Sequence, residues 1–120
     1  MRTPHEAGLQ IRAALKTVET LHVYDDPSAA MRPPAALVGA PRIKCEIGSA
    51  PSTATFFVFL AAAARDNALA RLMELVPEIT HALEFFVDNA VVEEDLEPVA
   101  LEVNGTTTLP AYMITVDVDL

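Results

Sequence analysis

Nine consecutive apolar residues, Phe56-Phe57-Val58-Phe59-Leu60-Ala61-Ala62-Ala63-Ala64, followed at once by Arg65-Asp66, constrain this chain more than any other stretch. A strand with one wet face alternates apolar and polar side chains. Here both parities are apolar, so the run predicts a central strand covered on both faces. The alternative is one helix over 56–76, because alanine favours helix and so short a run does not separate the two periods. Aromatic and branched residues at 56–59 favour the strand, and Asp66-Asn67 supply an N-cap where a new helix begins. A membrane-spanning helix needs roughly 20 apolar residues, so the run is too short to cross a bilayer and no membrane partner is expected.

At 120 residues the chain is expected to form one domain over its whole length, with a sizeable core. Its 52% hydrophobic content, set against 21% charged, leaves more apolar surface than one copy hides, so one cover of the central strand is expected from a neighbouring subunit. The net charge of −9, from 8 Lys+Arg and 17 Asp+Glu, disfavours a grip on phosphate backbones, which depends on basic groups. Cys45 is the only cysteine, which excludes an intrachain disulfide. Around Arg2, His5, Glu6 and Arg12 there is no apolar signal core, and the protein is expected to stay in the compartment where it is made.

Along the chain, Leu9, Ile11, Ala14, Leu15 and Val18 recur at helical spacing behind Thr3-Pro4, predicting an amphipathic helix over 4–18. A short β-prone segment, 20–24, stops at Asp25-Asp26-Pro27, and a second, 35–39, lies between Pro33-Pro34 and Pro41. Residues 42–47 alternate with Ile43, Cys45 and Ile47 on one side, so Cys45 reads as a core residue. A 48–52 tip then leads into the central strand, giving a long hairpin. Beyond Asp66, Leu69, Leu72, Met73, Val76, Ile79, Thr80 and Leu83 trace one helical face interrupted by Pro77, which predicts a kink or two abutting helices. An acidic approach (Glu93, Glu94, Asp95, Glu97) precedes a strand at 99–103, a turn at Asn104-Gly105, and a last strand with Tyr112, Ile114, Val116, Val118 and Leu120 on one face. The fold class is therefore α+β, a mixed and mostly antiparallel sheet with the helices packed on one face.

No constellation for chemistry emerges. His5, His22 and His81 lack partners at metal-ligand spacing, and His81 with Glu84, the nearest case, reads as helix surface. Ser49 and Ser52 sit in a Gly/Pro turn without a nucleophile frame, and none of the four glycines opens a phosphate loop. The 93–97 acids lack the ligand spacing of a calcium loop and read as a solvated segment. No catalytic residue, metal or cofactor is expected. A pocket between helices and sheet, using His22, Tyr24 and His81, is the enzyme or ligand-binding alternative. Charge is segregated: Arg32, Arg42 and Lys44 lie near the proline-bearing strands, the carboxylates at 93–97 and 117–119. In a ring, one subunit's basic edge would meet its neighbour's acidic edge.

His22-Val23-Tyr24-Asp25-Asp26-Pro27, followed by Arg32-Pro33-Pro34-Ala35-Ala36-Leu37-Val38-Gly39-Ala40-Pro41, resembles the opening of small tail-terminator proteins of long-tailed, siphovirus-type phages of actinobacteria. The order of hairpin, apolar strand, helical pair and final alternating strand is similar too, so the likeness spans 18–120. It implies a lambda-type tail-terminator fold assembling as a ring, usually a hexamer, that caps the tail tube in the virion, halts tube growth and docks the head connector or stopper. DNA would pass through the lumen without specific binding. Other neck and minor tail proteins share this kind of fold, and a stopper is the nearest alternative. No functional residue carries over by motif. The contact surfaces expected from exposure are the 25–34 loop, the 48–52 tip and the C-terminal strand edge, with Asp25, Asp26, Arg32, Arg42, Lys44, Gly48, Ser49, Asp117 and Asp119 as interface residues.

Overall fold

Two long antiparallel strands carry the molecule. In a computed structural model that describes residues 2–25, 32–45, 50–65, 67–103, 105 and 107–120, the elements in chain order are α1 (Pro4–Leu15), β1 (His22–Tyr24), β2 (Ala35–Val38), β3 (Arg42–Cys45), β4 (Pro51–Ala61), α2 (Ala68–Phe86), β5 (Ala90–Val92), β6 (Glu97–Val103) and β7 (Thr107–Asp119). β4 and β7 pair from Thr53↔Asp119 to Ala61↔Ala111. β2 and β3 lie end to end along the free side of β4, β5 and β6 along the free side of β7, and β1 extends the sheet beyond β2. Only β1–β2 is parallel. The class is α+β with a mixed, mostly antiparallel sheet, as the sequence pattern predicts, and the sheet has seven strands among the described residues.

Alternation along β4 and β7 decides which face becomes the core. Ala54, Phe56, Val58 and Leu60 of β4 share a face with Ile114, Val116 and Val118 of β7, and all are buried. Ala7, Ile11, Ala14 and Leu15 of α1, with Leu72, Ile79, Ala82 and Leu83 of α2, pack on that same face. Both stripes keep the spacing of three and four that a helix needs to present one apolar side. α1 begins where the sequence sets it. The Thr3 hydroxyl accepts the Glu6 N–H at 3.1 Å, with Pro4 in the first turn. Its Gly8 lies against Phe56, and a Cβ there would stand 3.3 Å from the ring, so glycine permits the close crossing of α1 over β4. The Arg2 guanidinium donates to the main-chain carbonyls of Asp88 and Asp119, tying the start of α1 to the far end of the sheet.

Several expectations need correction. The central strand is Pro51–Ala61 rather than 56–64. Ala62 still donates to the Pro110 carbonyl at 2.9 Å, but Pro110 has no N–H to return, so the ladder ends there. α2 runs unbroken through Pro77, which is exposed, as is Met73, whose carbonyl loses its helical partner there. Asn67 caps α2 at φ 65° without a side-chain bond, and Asp66 lies outside the described residues. Leu9 and Met73, assigned to the buried stripes, are 43% and 46% exposed. β6 begins at Glu97 rather than Val99, and β5 is a strand the pattern did not announce. Gly105 adopts φ +70°, as a tight turn requires, while its partner Asn104 lies outside the described residues.

Two stability changes follow. Ile114→Ala, which opens a hole at the centre of the helix-covered face, is expected to lower the unfolding free energy in urea titration by about 2–5 kcal/mol. Pro77→Ala restores the missing bond and is expected to raise it by about 1–3 kcal/mol. An unchanged or lower midpoint for Pro77→Ala would contradict the continuous helix.

Candidate assembly surfaces

The other face of the sheet carries the residues of opposite parity, and among the described residues no helix packs on it. Register fixes its rows. One runs Arg42–Thr55–Asp117–Val91 across β3, β4, β7 and β5. The next holds Phe57 and Thr115, extended by Glu93, whose N–H donates to the Thr115 carbonyl at 2.9 Å. A third runs Leu37–Phe59–Met113–Glu97. Phe57, Phe59 and Met113 stay partly exposed at the middle of this face. A smaller cluster of Ala35, Ala61, Val103, Leu109 and Ala111 is buried toward the β6–β7 hairpin. The expected double cover of the central strand is thus supplied within one copy on one face only. The run at 56–59 is apolar in both parities, yet among the described residues there are just two helices, and both are used on the same side.

Charge varies steadily across this face. Arg42 and Lys44 stand on β3, and the Arg42 guanidinium lies 5.8 Å from the centre of the Phe57 ring, within cation–π reach. On the opposite edge Val91, Glu93, Glu94, Asp95 and Glu97 border a shallow groove of about 470 Å³ floored by Met113 and Thr115. Asp117 sits between the two, accepting the Thr55 hydroxyl at 2.7 Å. The β5–β7 register sets Asp117 opposite Val91, and the 93–97 acids continue past it beside Thr115 and Met113.

The remaining expected interface residues fall in different places. Asp25 is exposed and pairs with Arg12 at 2.6 Å. Arg32 offers its backbone N–H to the Tyr24 hydroxyl at 3.1 Å, beside β1, so it stands apart from Arg42 and Lys44 at the other end of the β4 edge. The Lys44 carbonyl accepts the Ser52 hydroxyl at 3.2 Å, and the Asp119 carbonyl accepts Arg2 at 2.6 Å. Asp26, Gly48 and Ser49 lie outside the described residues. Cys45, read as core from its alternation with Ile43, is exposed, and Ile43 is 46% exposed. Their alternation is real, but β3 is an edge strand beyond the cover of α1, so facing the helix side does not bury them.

Sequence reasoning missed the exposed apolar residues at the end of α2 and on β5: Phe85 at 69%, Phe86 at 52% and Val91 at 62% exposure. Leu72, Ile79 and Leu83 already fix the buried phase of α2, and Phe85 falls off it, so the helical wheel held that signal; Phe86, three residues past Leu83, falls on the buried phase and is exposed at the last residue of the helix. His81 stacks on Phe85 at 5.6 Å and Phe85 meets Phe86 edge-on at 4.9 Å. The cavity of about 650 Å³ beside the start of α2 is lined by Thr20, Pro34, Arg65, Arg71 and Glu74 among others, and it contains none of His22, Tyr24 and His81. The three side chains of the pocket alternative therefore do not converge there. Among the described residues no group of three His, Cys, Asp or Glu is placed to hold a metal, and no helix is long and apolar enough to cross a membrane. Compared with models of known protein families and with curated proteins, the chain matches none.

Because Cys45 lies exposed on an edge strand, a thiol reagent should label it in dilute native protein about as fast as in urea-unfolded chain. Slow labelling that persists on dilution would mean that β3 is covered within a single copy.

Proposed function

We propose that the protein is a structural component of a phage virion, a tail terminator whose copies close into a ring, cap the tail tube, halt its growth and present the surface to which the head connector docks. The observation that carries this reading is the helix-free sheet face, where Phe57, Phe59 and Met113 remain partly exposed in a single copy. Apolar surface at the middle of a sheet is stabilised by removal from water, and docking of the ring on the tail tube or head connector supplies that cover, since among the described residues both helices lie on the other face. The resemblance at 22–41 names the kind of ring, and the α+β architecture with both helices on one side agrees in class with what that resemblance implies. A net charge of −9 suits a ring around a DNA path, since phosphates slide past a wall that does not bind them. The reading needs no bond-making step and no cofactor.

The test is a tube-length assay. Tail-tube protein of the same phage is polymerised with and without this chain and imaged by electron microscopy. Shortened tubes with extra density at one end are expected. Tubes of unchanged length with bare ends would sink the terminator reading, and binding to portal-bearing heads instead of tubes would point to a stopper.

A further inference from the structure

β3 and β5 are the two outer strands at one end of the sheet, where the order across is β3, β4, β7, β5. Each leaves a row of backbone groups without a partner among the described residues, the ordinary template for pairing with another chain. The β6 edge is blunted by Pro98 between Glu97 and other carboxylates, whereas β5 reads Ala-Val-Val with neither proline nor charge. The two open edges differ in sign. β3 carries Arg42 and Lys44, while the β5 edge is bordered by Asp88, Glu93, Glu94 and Asp95, all exposed. They also differ in shape on the helix side. Beside β3 lies a groove of about 430 Å³ lined by Pro4, Gly8, Leu9, Pro41, Ile43 and Phe56, and beside β5 project Phe85 and Phe86.

The geometry points to a head-to-tail joint between copies of this chain, in which the β5 edge of one copy docks on the β3 edge of the next. Three successive antiparallel pairings make β3 and β5 run in opposite directions, so placing them side by side with helices on the same face gives an antiparallel pair. In that arrangement the apolar elements meet on the helix side, Phe85 and Phe86 against the Leu9–Ile43 groove. The charges meet on the helix-free side, Glu93 and its neighbours against Arg42 and Lys44. Aromatic side chains in a groove supply affinity, and opposite charges select the partner edge. This joint rests on the ring reading above and specifies which surfaces build it.

Sedimentation equilibrium of four chains tests it. Arg42→Glu with Lys44→Glu, Glu93→Lys with Glu94→Lys, and Phe85→Ser with Phe86→Ser each alter exposed side chains, and each is expected to weaken self-association by roughly tenfold or more relative to wild type. The distinguishing experiment mixes the first two variants in equal amounts. Each fails with itself because like edges meet, but the mixture restores assembly by alternating, and Cys45 becomes protected from thiol labelling as the assembly forms. A wild-type chain that stays monomeric at millimolar concentration, assembly indifferent to all three variants, or a mixture that fails to recover would each overturn the joint. The tube-length assay separates this from the functional reading: variant-insensitive assembly with tubes still capped removes the joint alone, and swap-rescued assembly with tubes unaffected removes the terminator role alone.

Discussion

The pairing of β4 with β7 is the interaction on which every other placement depends. Their register runs unbroken from Thr53↔Asp119 to Ala61↔Ala111, and all other strands attach to the outer side of one or the other. Because side chains alternate with period two, a slip of β7 by one residue against β4 would turn Ile114, Val116 and Val118 away from the helices and bring Thr115 and Asp117 beneath them. Asp117 would then have to be desolvated under α1 and α2, which costs far more than any neighbouring contact returns. One face is tolerant of a helix and the other is not. The asymmetry of the molecule, with both helices on one side, is set at this point rather than by the helices themselves.

How much of this could be read in advance depended on whether a signal was local. Tyr112, Ile114, Val116 and Val118 alternate so strictly that the last strand and its inner face were legible, and Thr3-Pro4-x-Glu6 located the start of α1. Residues whose fate is decided by distant partners were not. Pro110 ends the β4 ladder from across the sheet, and nothing near Ala62 in sequence announces it. Cys45 and Ile43 keep the alternation of a buried strand, but burial requires an element overhead, and α1 does not reach them. Ala90-Val91-Val92 is too short to register as a strand until β7 offers an edge to pair with. Pro77 promised a break, yet a helix packed along one side for its whole length loses only one hydrogen bond there, and tertiary packing outweighs that loss. For the assembly surfaces, charge segregation was visible, but the separation of Arg32 from Arg42 and Lys44, and the placing of Glu93 beside Thr115 on the edge of the sheet, follow from contacts between residues distant in sequence.

The fold leaves one face of its sheet without a helix among the described residues. A chain with two helices buries one face of a seven-stranded sheet well and leaves aromatic side chains partly wet on the other. The polar residues on that face form a graded row, Arg42 to Thr55 to Asp117, in which the Thr55 hydroxyl donates to Asp117 and charge changes sign from one side to the other.

That gradient also limits how copies can join. An isologous dimer through β3 would set Arg42 and Lys44 against themselves, and one through β5 would oppose two sets of carboxylates, so both two-fold pairings along these edges bring like charges together. A head-to-tail pairing avoids both conflicts, since it uses one edge from each copy and leaves the complementary edge free for the next. Such a contact repeats by nature, and unless the rotation between copies closes it grows without end. Closure is therefore the state in which no β3 or β5 edge remains exposed, and the twist between adjacent strands supplies part of the rotation that closure requires. A ring built on this principle is bounded by its own geometry, and the negative charge collected beside β5 is drawn into each joint, where the basic strand of the next copy neutralises it.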